Sequence, residues 1–359
     1  MARGIDKLRK LINDKNLDVL LIRSKTNKKW IDTLTGSGCF LLITKDDCLL
    51  LVDGRYIAMA SSEHDFTVVL LDSQSISAFY SKLEQIAKDR GWNTIGVEGA
   101  TTNASSYLVL NNIFDDVVLL DDEIDRCRMV KTPLEIKKIQ QAVELGDDCF
   151  LSVLDKIKPY MTENEISALL SYEAISRGAQ KMSFDTIIAS GTRTCLPHGR
   201  PTSKKILPHE HIMIDFGVQL DNYQSDMTRI VFLGDPKPEI MDIYNCVLTA
   251  QKVGVQSIVK GAFTDEIDGL VRGIIDDFGY GDKFVHGLGH GIGVDCGCDL
   301  PLLRQGSRFR VDEGMVMSCE PGVYIEGVGG VRIEDDVAVI DGVGKALNSI
   351  TKDPIILEV

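Results

Sequence analysis

Two acidic residues stand inside an otherwise apolar stretch, Ile212–Phe232 (IMIDFGVQLDNYQSDMTRIVF), that is typical of a β-hairpin. Its apolar pattern predicts two strands joined by a short turn at residues 220–222. Centred on the 220/221 bond, the hairpin would pair Asp215 with Asp226 on one face, with Cβ atoms roughly 5 Å apart. Like charges directly opposite destabilise a hairpin. Either the pair lies on a partly solvated edge, or a cation is held between the two carboxylates.

Length and composition indicate a globular protein with two domains. The 359 residues are enough for two cores, and 44% are hydrophobic and 26% charged. A net charge of −14, with no basic block, disfavours a nucleic-acid partner. The N-terminus lacks an apolar signal-peptide core, and no stretch approaches the ~20 apolar residues of a membrane span. Nine cysteines scattered through apolar segments predict reduced thiols and a cytoplasmic location.

Residues 1–123 alternate short apolar strands with helical stretches, which predicts an α/β domain with a mixed sheet. Strands are predicted at Asp18–Ile22, Cys39–Thr44, Cys48–Val52, Phe66–Leu71, Thr94–Val97 and Asp116–Leu120, and helices at Ile5–Asp14, Ile76–Asp89 and Ala104–Ile113. The segment VDGRY (Val52–Tyr56) carries no metal or phosphate motif, so binding or dimerisation is expected of it rather than chemistry.

Apolar periodicity breaks near Asp121–Lys131, and residues 124–359 form the second predicted domain, which makes the chain α+β overall. Capping boxes at Thr132–Glu135 and Thr162–Glu165 predict helices that run to Ile157 and Ser176. The other predicted elements are a strand at Phe184–Ala189, helices at Pro238–Val259 and Thr264–Phe278, and strands at Gly314–Ser318, Val331–Ile340 and Ile355–Val359.

Three further candidate metal ligands follow the hairpin: His290 in HGLGHGIG, Glu320 in MVMSCEPG and Glu334 in GGVRIEDDV. Taken singly, each has an ordinary structural explanation. With Asp215 and Asp226 they make four carboxylates and one imidazole, a donor set that suits Mn²⁺, Co²⁺ or Zn²⁺ and is too oxygen-rich for a structural zinc site. Two such ions ~3.5–4 Å apart would lower the pKa of a water between them, which is a route to hydrolysis.

The motifs FDTIIASGTRTCLPHG, IDFG, SDMTR, HGLGHGIG, EPGVYI and GGVRIED follow one another within residues 125–359. In these motifs and in the order Asp, Asp, His, Glu, Glu, this part resembles the pita-bread metallopeptidases, the family of methionine aminopeptidase, aminopeptidase P and prolidase. The family's ten residues between the two aspartates are kept. The N-terminal domain is similar to the creatinase-like domain of the proline-specific members. The resemblance implies an Xaa-Pro aminopeptidase or Xaa-Pro dipeptidase, acting on peptides or dipeptides with proline in second position.

The resemblance also implies a role for each ligand. Asp215 would bind one ion, His290 and Glu320 the other, and Asp226 and Glu334 would bridge the two. Glu320 would in addition take a proton from the attacking water and return it to the leaving imino group. The two divalent ions would be Mn²⁺ in the first place, with Co²⁺, Zn²⁺ or Fe²⁺ as alternatives that the sequence does not separate. A homodimer is implied in the same way.

Three other residues match family positions near the substrate. His198, in LPHG, matches a histidine that contacts the substrate near the scissile amide. His286 matches one that lines the pocket, and an equally good interpretation is a hydrogen-bond donor that holds a ligand. Arg332 is predicted to share one face of a strand with Glu334, where its charge could orient a carboxylate.

One position departs from the family pattern. The family usually has a second histidine seven residues after the metal-binding one, but this chain has Gly297 there, and the segment to Pro301 is one residue longer. Loss of one such donor costs roughly 10²–10³-fold in rate in other enzymes. Cys296 and Cys298 flank the gap. Because a thiol is a weak hydrogen-bond donor, Cys298 would be a poor substitute. The two cysteines are interpreted as reduced thiols in a loop, with additional metal ligands as the alternative.

The leading hypothesis is a two-metal hydrolase that cleaves the Xaa–Pro bond at the N-terminus of peptides or in dipeptides. The tertiary Xaa–Pro amide lacks the N–H that ordinary peptidases bind, and its ring needs a shaped pocket. The alternative is a catalytically impaired, peptidase-like binding protein, which only the Gly297 gap favours. A metal-free hydrolase of the creatinase type would lack ligands that this chain has. The sequence does not distinguish dipeptidase from aminopeptidase, nor the residue preferred before proline.

Overall fold

The computed structural model describes residues 2–62, 65–120, 122–297 and 299–358. The chain divides into two compact units, Met1–Arg128 and Met129–Val359. The predicted boundary after residue 123 falls inside a helix, Asp122–Met129, close to the end of the first unit. Cys298 and the last residue of the predicted strand Ile355–Val359 lie outside the described residues.

The first unit contains a mixed sheet. Its described strands are β1 (Val19–Ile22), β2 (Cys39–Ile43), β3 (Cys48–Val52), β4 (Thr67–Leu70), β5 (Thr94–Glu98) and β6 (Asp116–Leu120). Its described helices are α1 (Ala2–Asp14), α2 (Lys25–Ile31), α3 (Ile57–Ala60), α4 (Ile76–Arg90), α5 (Ala104–Asn111) and α6 (Asp122–Met129). The sheet order is β4-β3-β2-β1-β5-β6. Strand β5 is parallel to its neighbours β1 and β6, whereas β2 is antiparallel to its neighbours β1 and β3.

The predicted α/β domain with a mixed sheet is confirmed. Strands β1 to β3 are buried along their whole length, which is why they appear as continuous apolar runs rather than alternating ones. Helix α2 was missed because its sequence, KTNKKWI, is mostly polar. Its start is nevertheless marked by Ser24, whose hydroxyl accepts a hydrogen bond from the Asn27 backbone N–H. In the VDGRY segment the buried carboxylate of Asp53 pairs with Arg55 at 2.7 Å.

The second unit combines four longer helices with several small sheets in its described part. The helices are α7 (Pro133–Leu154), α8 (Glu163–Ser176), α9 (Pro238–Ser257) and α10 (Thr264–Asp277). The strands are β7 (Lys181–Met182), β8 (Ile187–Ser190), β9 (His211–Phe216), β10 (Val218–Leu220), β11 (Tyr223–Gln224), β12 (Met227–Leu233), β13 (Gly289–Gly291), β14 (Asp299–Leu303), β15 (Val316–Cys319), β16 (Gly322–Ile325), β17 (Gly329–Arg332), β18 (Asp335–Ile340), β19 (Val343–Ala346) and β20 (Ile355–Leu357).

Two hydrophobic cores meet at the central hairpin formed by β9 to β12. In the first core, α7 and α8 pack against the hairpin, and in the second core, α9 and α10 pack against it. Ile212 and Ile214 of β9 belong to the first core, whereas Met213, between them, belongs to the second. Both faces of the hairpin are therefore buried, which explains its continuous apolar sequence. Asp215 lies on the same face as Met213, toward the second core.

The predicted pairing of Asp215 with Asp226 is wrong. The strand register places Asp215 opposite Thr228, and Leu220 opposite Tyr223. The turn consists of Asp221 and Asn222, whose φ values are 49° and 69°, as the favoured two-residue hairpin turn requires. Assigning Leu220 to the turn displaced the predicted pairing by two residues. A two-residue displacement keeps the face, so Asp215 and Asp226 still point to the same side.

Gly217 lies where the hairpin passes from one sheet into the next. A Cβ at this position would lie 1.7 Å from the Ser225 carbonyl oxygen, so the close approach of the two strands requires glycine. We expect Gly217→Ala to lower the melting temperature of the second unit by roughly 3–10 °C through overpacking. Gly269→Ala, in α10 with no atom within 4 Å of the new Cβ, should leave it unchanged or raise it. Calorimetry of both variants tests this, and equal melting temperatures would contradict it.

Candidate metal centre

The residues predicted for the site, far apart in the sequence, line one cavity of about 580 Å³ in the second unit. They are His198, Asp215, Asp226, His286, His290, Glu320, Arg332 and Glu334. The structure thus brings together every candidate that the sequence singled out. Cys296 and Gly297, at the position of the missing histidine, also lie in the cavity wall.

Most of the predicted ligands sit where strands begin or end. Asp226 lies between β11 and β12, Glu320 follows β15, and Glu334 lies between β17 and β18. Only Asp215 and His290 lie within a strand. The prediction that Arg332 and Glu334 share one strand is wrong, because β17 ends at Arg332 and β18, which belongs to another sheet, begins at Asp335. The two side chains reach the same cavity without strand periodicity.

The donor atoms form three overlapping groups, in each of which one atom per residue lies within 4.8 Å of the others. The groups are Asp215, Asp226 and Glu334; His290, Glu320 and Glu334; and Asp226, His290 and Cys296. His290 Nε2 lies 3.5 Å from Asp226 Oδ2 and 3.6 Å from Glu320 Oε1. Atoms bound at about 2.0–2.2 Å to one ion lie roughly 2.8–3.6 Å apart, so this spacing fits a shared cation.

Three carboxylate oxygens of this cluster are buried and have no hydrogen-bond partner among the described residues: Asp215 Oδ1, Asp226 Oδ1 and Glu334 Oε1. Burial, and then repulsion from the neighbouring acids, raises the pKa of Asp226 and Glu334 well above the usual range. Unpaired buried charge is costly. Two divalent cations carry as many positive charges as the four carboxylates carry negative ones, so the residues present fit such a centre.

His290 is oriented so that one ring nitrogen faces the acids. Its Nδ1–H donates to the Gly291 carbonyl at 3.1 Å, and its backbone N–H donates to the Ser318 hydroxyl at 3.0 Å. In this tautomer the Nε2 lone pair is directed to the carboxylates, which is the arrangement of a metal-binding imidazole. Ser318 was not predicted.

Thr228 and Arg332 hold two of the carboxylates. The Thr228 hydroxyl donates to Glu334 Oε2 at 2.6 Å and accepts from Arg332 Nε at 3.1 Å. Arg332 is buried and forms an ion pair with Asp215 through Nη2. Arg332 therefore lies where it could orient a carboxylate, and that role stays a prediction. Thr228 was missed, although in SDMTR it follows Asp226 by two residues, and this strand period would have placed it on the same face.

His286 is a neutral hydrogen-bonding residue. Its Nδ1–H donates to the Gly287 carbonyl at 2.8 Å, and its Nε2 accepts from the Tyr324 hydroxyl at 2.8 Å. Burial lowers the pKa of His286 to about 4. Tyr324 in turn accepts from Arg332 Nη1 at 2.7 Å, so His286 connects through Tyr324 to the arginine that orients Asp215. Tyr324 lies in the motif EPGVYI but was not singled out from the sequence.

His198 is exposed in the cavity wall, on the loop that follows a short 3₁₀ turn, Gly191–Cys195. That loop is tied to the site because the carbonyl of Pro197 accepts from Arg332 Nη1 at 3.1 Å. The turn is anchored by Thr194, whose hydroxyl accepts from the Gly330 N–H and contacts His211 Nε2, each at 2.7 Å. Burial lowers the pKa of His211 to about 4.

The corner of the cavity around Gly297 is open. Gly297 has a φ of 85°, and no atom lies within 4 Å of the place where its Cβ would be. The neighbouring Cys296 Sγ–H donates to Asp226 Oδ2 at 3.0 Å. The predicted absence of an imidazole here therefore leaves space, and a thiol beside the acids.

Comparison with known proteins agrees with this geometry. Residues 137–341, more than half of the chain, match the metallopeptidase family M24, and residues 5–130 match the creatinase/prolidase N-terminal domain. The chain belongs to metallopeptidase family M24. The predicted fold class, a creatinase-like domain followed by a pita-bread catalytic domain, is confirmed.

Some relatives of this M24 chain match it over nearly its whole length. The Xaa-Pro dipeptidase of Pyrococcus furiosus is 33% identical, over 98% of this chain and 99% of the relative. Among solved structures, the Xaa-Pro dipeptidase from Bacillus anthracis is 33% identical, covers 99% of both chains and has a TM-score of 0.92. The X-Pro aminopeptidase from Thermotoga maritima is 34% identical, covers 95% of this chain and 98% of its own, and has a TM-score of 0.88.

The family assignment confirms the predicted resemblance and the expectation of an enzyme. The alternative of a catalytically impaired binding protein is not supported. In the described part of this M24 chain, no helix combines the length and the apolar character needed to cross a membrane. The individual roles of the site residues stay predictions.

Thr228→Val should weaken metal binding while keeping the fold. Valine has nearly the same shape but removes the hydrogen bonds that orient Glu334 and Arg332, and loss of such a supporting partner costs about 10–100-fold in metal affinity. Thr228→Ser keeps the hydroxyl and should stay near the wild-type value. Calorimetric titration of the metal-free proteins with Mn²⁺ measures both. A valine variant that binds like the wild type would show that Thr228 does not orient the ligands.

His211 should make the second unit less stable below about pH 6.5. Its pKa is about 4 when folded, against the ordinary 6.5, so between these values the unfolded chain binds the proton and the native chain does not. Stability should therefore fall as the pH drops from 6.5 to 4, by up to about 3 kcal/mol from this group, and be flat above. His211→Gln should reduce this slope when melting is followed across the pH range in chelator. An unchanged slope would contradict the assignment.

Proposed function

We propose that this protein is a two-metal peptidase that hydrolyses the Xaa–Pro bond in dipeptides or at the N-terminus of longer peptides. The observation that carries the proposal is the convergence of four carboxylates and one imidazole on a single cavity of an M24 chain. The match of residues 5–130 to the creatinase/prolidase N-terminal domain, together with relatives named Xaa-Pro dipeptidase and X-Pro aminopeptidase, supports proline specificity.

The proposed ligands divide between two ions. Asp215 would hold one ion, His290 and Glu320 would hold the other, and Asp226 and Glu334 would contribute to both. Asp226 and Glu334 each belong both to the donor group of Asp215 and to a donor group of His290, which supports this division. When bound, two divalent ions polarise the scissile carbonyl and make water a stronger nucleophile at neutral pH. We propose Mn²⁺ as the physiological ion, with Co²⁺, Zn²⁺ and Fe²⁺ as alternatives for an oxygen-rich site.

Glu320 is the proposed proton carrier. Its side chain is 18% exposed, more than those of Asp215 and Asp226, so it can reach a reacting water in the cavity. Glu320 accepts a proton from the water as the oxygen attacks the scissile carbonyl carbon. It then donates that proton to the proline nitrogen as the C–N bond breaks, which releases a neutral imino group.

The histidines take different parts in this proposal. His198 is exposed at the cavity wall and donates a hydrogen bond to the carbonyl oxygen of the scissile amide. His286, with a pKa of about 4, is neutral at physiological pH and fixed by Tyr324. It therefore acts in the site as a positioning residue, linked to Arg332 and Asp215, and not as a proton source.

The cavity has features that suit a small proline peptide. Its volume of about 580 Å³ is within the usual range for small-molecule sites. Phe184, Ile187 and Leu302 provide apolar wall for a pyrrolidine ring, and Arg304 adds a cation suited to a substrate carboxylate. Because the relatives include both a dipeptidase and an aminopeptidase, they support proline in second position without separating the two substrate lengths.

The domain boundaries, the oligomeric state and the cellular location are also proposals. We place the N-terminal domain at residues 1–123 and the catalytic domain at 124–359. A homodimer follows from the resemblance to proline-specific members. A cytoplasmic location is supported by the described cysteines, which are free thiols: Cys39, Cys48, Cys127, Cys149, Cys195, Cys246, Cys296 and Cys319. Light scattering and elemental analysis of the purified protein test the dimer and the metal.

Activity on three peptides tests the function. With added Mn²⁺, the enzyme should hydrolyse Ala-Pro or Ala-Pro-Ala and leave Ala-Ala-Ala intact. Asp226→Asn should abolish turnover because it removes a carboxylate that would hold both ions. Asp221→Asn is the matched control: it makes the same chemical change in the exposed turn of the same hairpin and should keep full activity. The ratio of dipeptide to tripeptide cleavage then shows whether the enzyme is a dipeptidase or an aminopeptidase.

Two results would overturn the proposal. Hydrolysis of Ala-Ala-Ala as fast as of the proline peptides would remove the specificity for proline. Failure of metal-loaded protein to cleave any of the three would remove the peptidase function itself.

A further inference from the structure

We infer that Cys296 is an additional, sulfur ligand to the ion bound by His290, and that at this one position it favours Zn²⁺ or Co²⁺, two of the alternatives named above, over the Mn²⁺ proposed for the pair. The inference rests on the proposed metal centre and deepens it. The five-residue set implied by the family contains oxygen and nitrogen donors only, so a thiolate would distinguish this chain chemically.

The position of the sulfur carries the inference. Cys296 Sγ, a carboxylate oxygen of Asp226 and a ring nitrogen of His290 lie within 4.8 Å of one another. Both Cys296 Sγ and His290 Nε2 approach the same atom, Asp226 Oδ2, at 3.0 Å and 3.5 Å. A zinc ion holds sulfur at about 2.3 Å and nitrogen or oxygen at about 2.0–2.2 Å, so sulfur and oxygen bound to one ion lie roughly 3–3.7 Å apart, close to the distance between Cys296 Sγ and Asp226 Oδ2.

The thiol is held in this place by the hairpin that carries the ligands. The backbone N–H of Cys296 donates to the side-chain oxygen of Gln224, which lies two residues before Asp226. The backbone N–H of Gln224 donates in turn to the Gly293 carbonyl at 2.8 Å. At the far end of the loop, the Asp299 carboxylate accepts from the Val294 N–H at 2.9 Å. Cys296 and Asp226 are therefore fixed relative to each other.

A second observation points to a cation at the same spot. Asp226 and Glu334 are 5% and 1% exposed, and each has one buried oxygen without a hydrogen-bond partner among the described residues. These oxygens need a positive partner. On binding, the S–H bond gives up its proton to solvent and a sulfur–metal bond forms, since a divalent cation deprotonates a coordinating thiol.

The consequence is a change in metal preference. Thiolate ligands favour zinc and cobalt, whereas Mn²⁺ prefers carboxylate oxygens. The replacement of the family's histidine by Gly297 leaves this corner of the cavity open, so no imidazole competes for the space beside the sulfur. We therefore expect the position at His290 to discriminate against Mn²⁺ more strongly than a site that has only oxygen and nitrogen ligands.

Cobalt spectroscopy on the full chain tests the ligand directly. Under reducing conditions, Co²⁺ should produce visible ligand-field bands and a near-ultraviolet sulfur-to-cobalt charge-transfer band. Cys296→Ser should lose the charge-transfer band and keep the ligand-field bands. Cys195→Ser, which removes a partly buried thiol outside the three donor groups, should keep both. Cys298→Ser should also keep both. In calorimetric titrations, Cys296→Ser should lower Zn²⁺ affinity at least about tenfold and leave Mn²⁺ affinity nearly unchanged.

The outcomes separate this inference from the proposed function. A charge-transfer band that survives in Cys296→Ser, or that is lost only in Cys298→Ser, overturns the inference while the metal centre stands. Equal losses of Zn²⁺ and Mn²⁺ affinity overturn the preference. Protein that shows no cobalt bands at all, and that behaves like Asp226→Asn, overturns the metal centre and this inference with it.

Discussion

Mutual repulsion among buried carboxylates is the constraint on which the rest of the second unit depends. Asp215, Asp226, Glu320 and Glu334 face one cavity, and burial raises the pKa of each of them. A fold that held these acids without cations would bear a large electrostatic cost. The two cores on either side of the hairpin stabilise a cluster that is favourable only when positive charge is supplied to it.

The protein supplies part of that charge through fixed side chains. Arg332 reaches Asp215 from inside the cavity wall, and Thr228 connects the same arginine to Glu334. Arg332 is a single cation, so it leaves most of the negative charge of the cluster unbalanced. This shortage explains why oxygens on three carboxylates have no hydrogen-bond partner among the described residues. The unbalanced negative charge also shows where a ligand must bind and that this ligand must be positively charged.

Glu334 and Asp335 are adjacent acids, but their surroundings differ and so do their roles. Burial would raise the pKa of Asp335, but Arg229, at 2.7 Å, and Lys352 hold it below its usual value. Glu334, the preceding residue, lines the cavity, and its Oε1 has no hydrogen-bond partner among the described residues. Arg229 also donates to the Glu334 carbonyl, so the structural ion pair fixes the backbone of the proposed ligand. One acid stabilises the fold, and the adjacent one remains available for chemistry.

The sequence by itself determined the classes of structure and the chemistry. Apolar runs predicted the strands of the first sheet, capping boxes predicted α7 and α8, and the acids and His290 predicted a metal site, because these signals are local or are motifs of a family. Only the tertiary structure decided the hairpin register, which depends on the positive φ values of Asp221 and Asn222. It alone joined Thr228, Ser318 and Tyr324 to the site and placed the Cys296 sulfur beside Asp226. Such contacts connect residues distant in the chain, and no pattern along a single sequence encodes which of them meet.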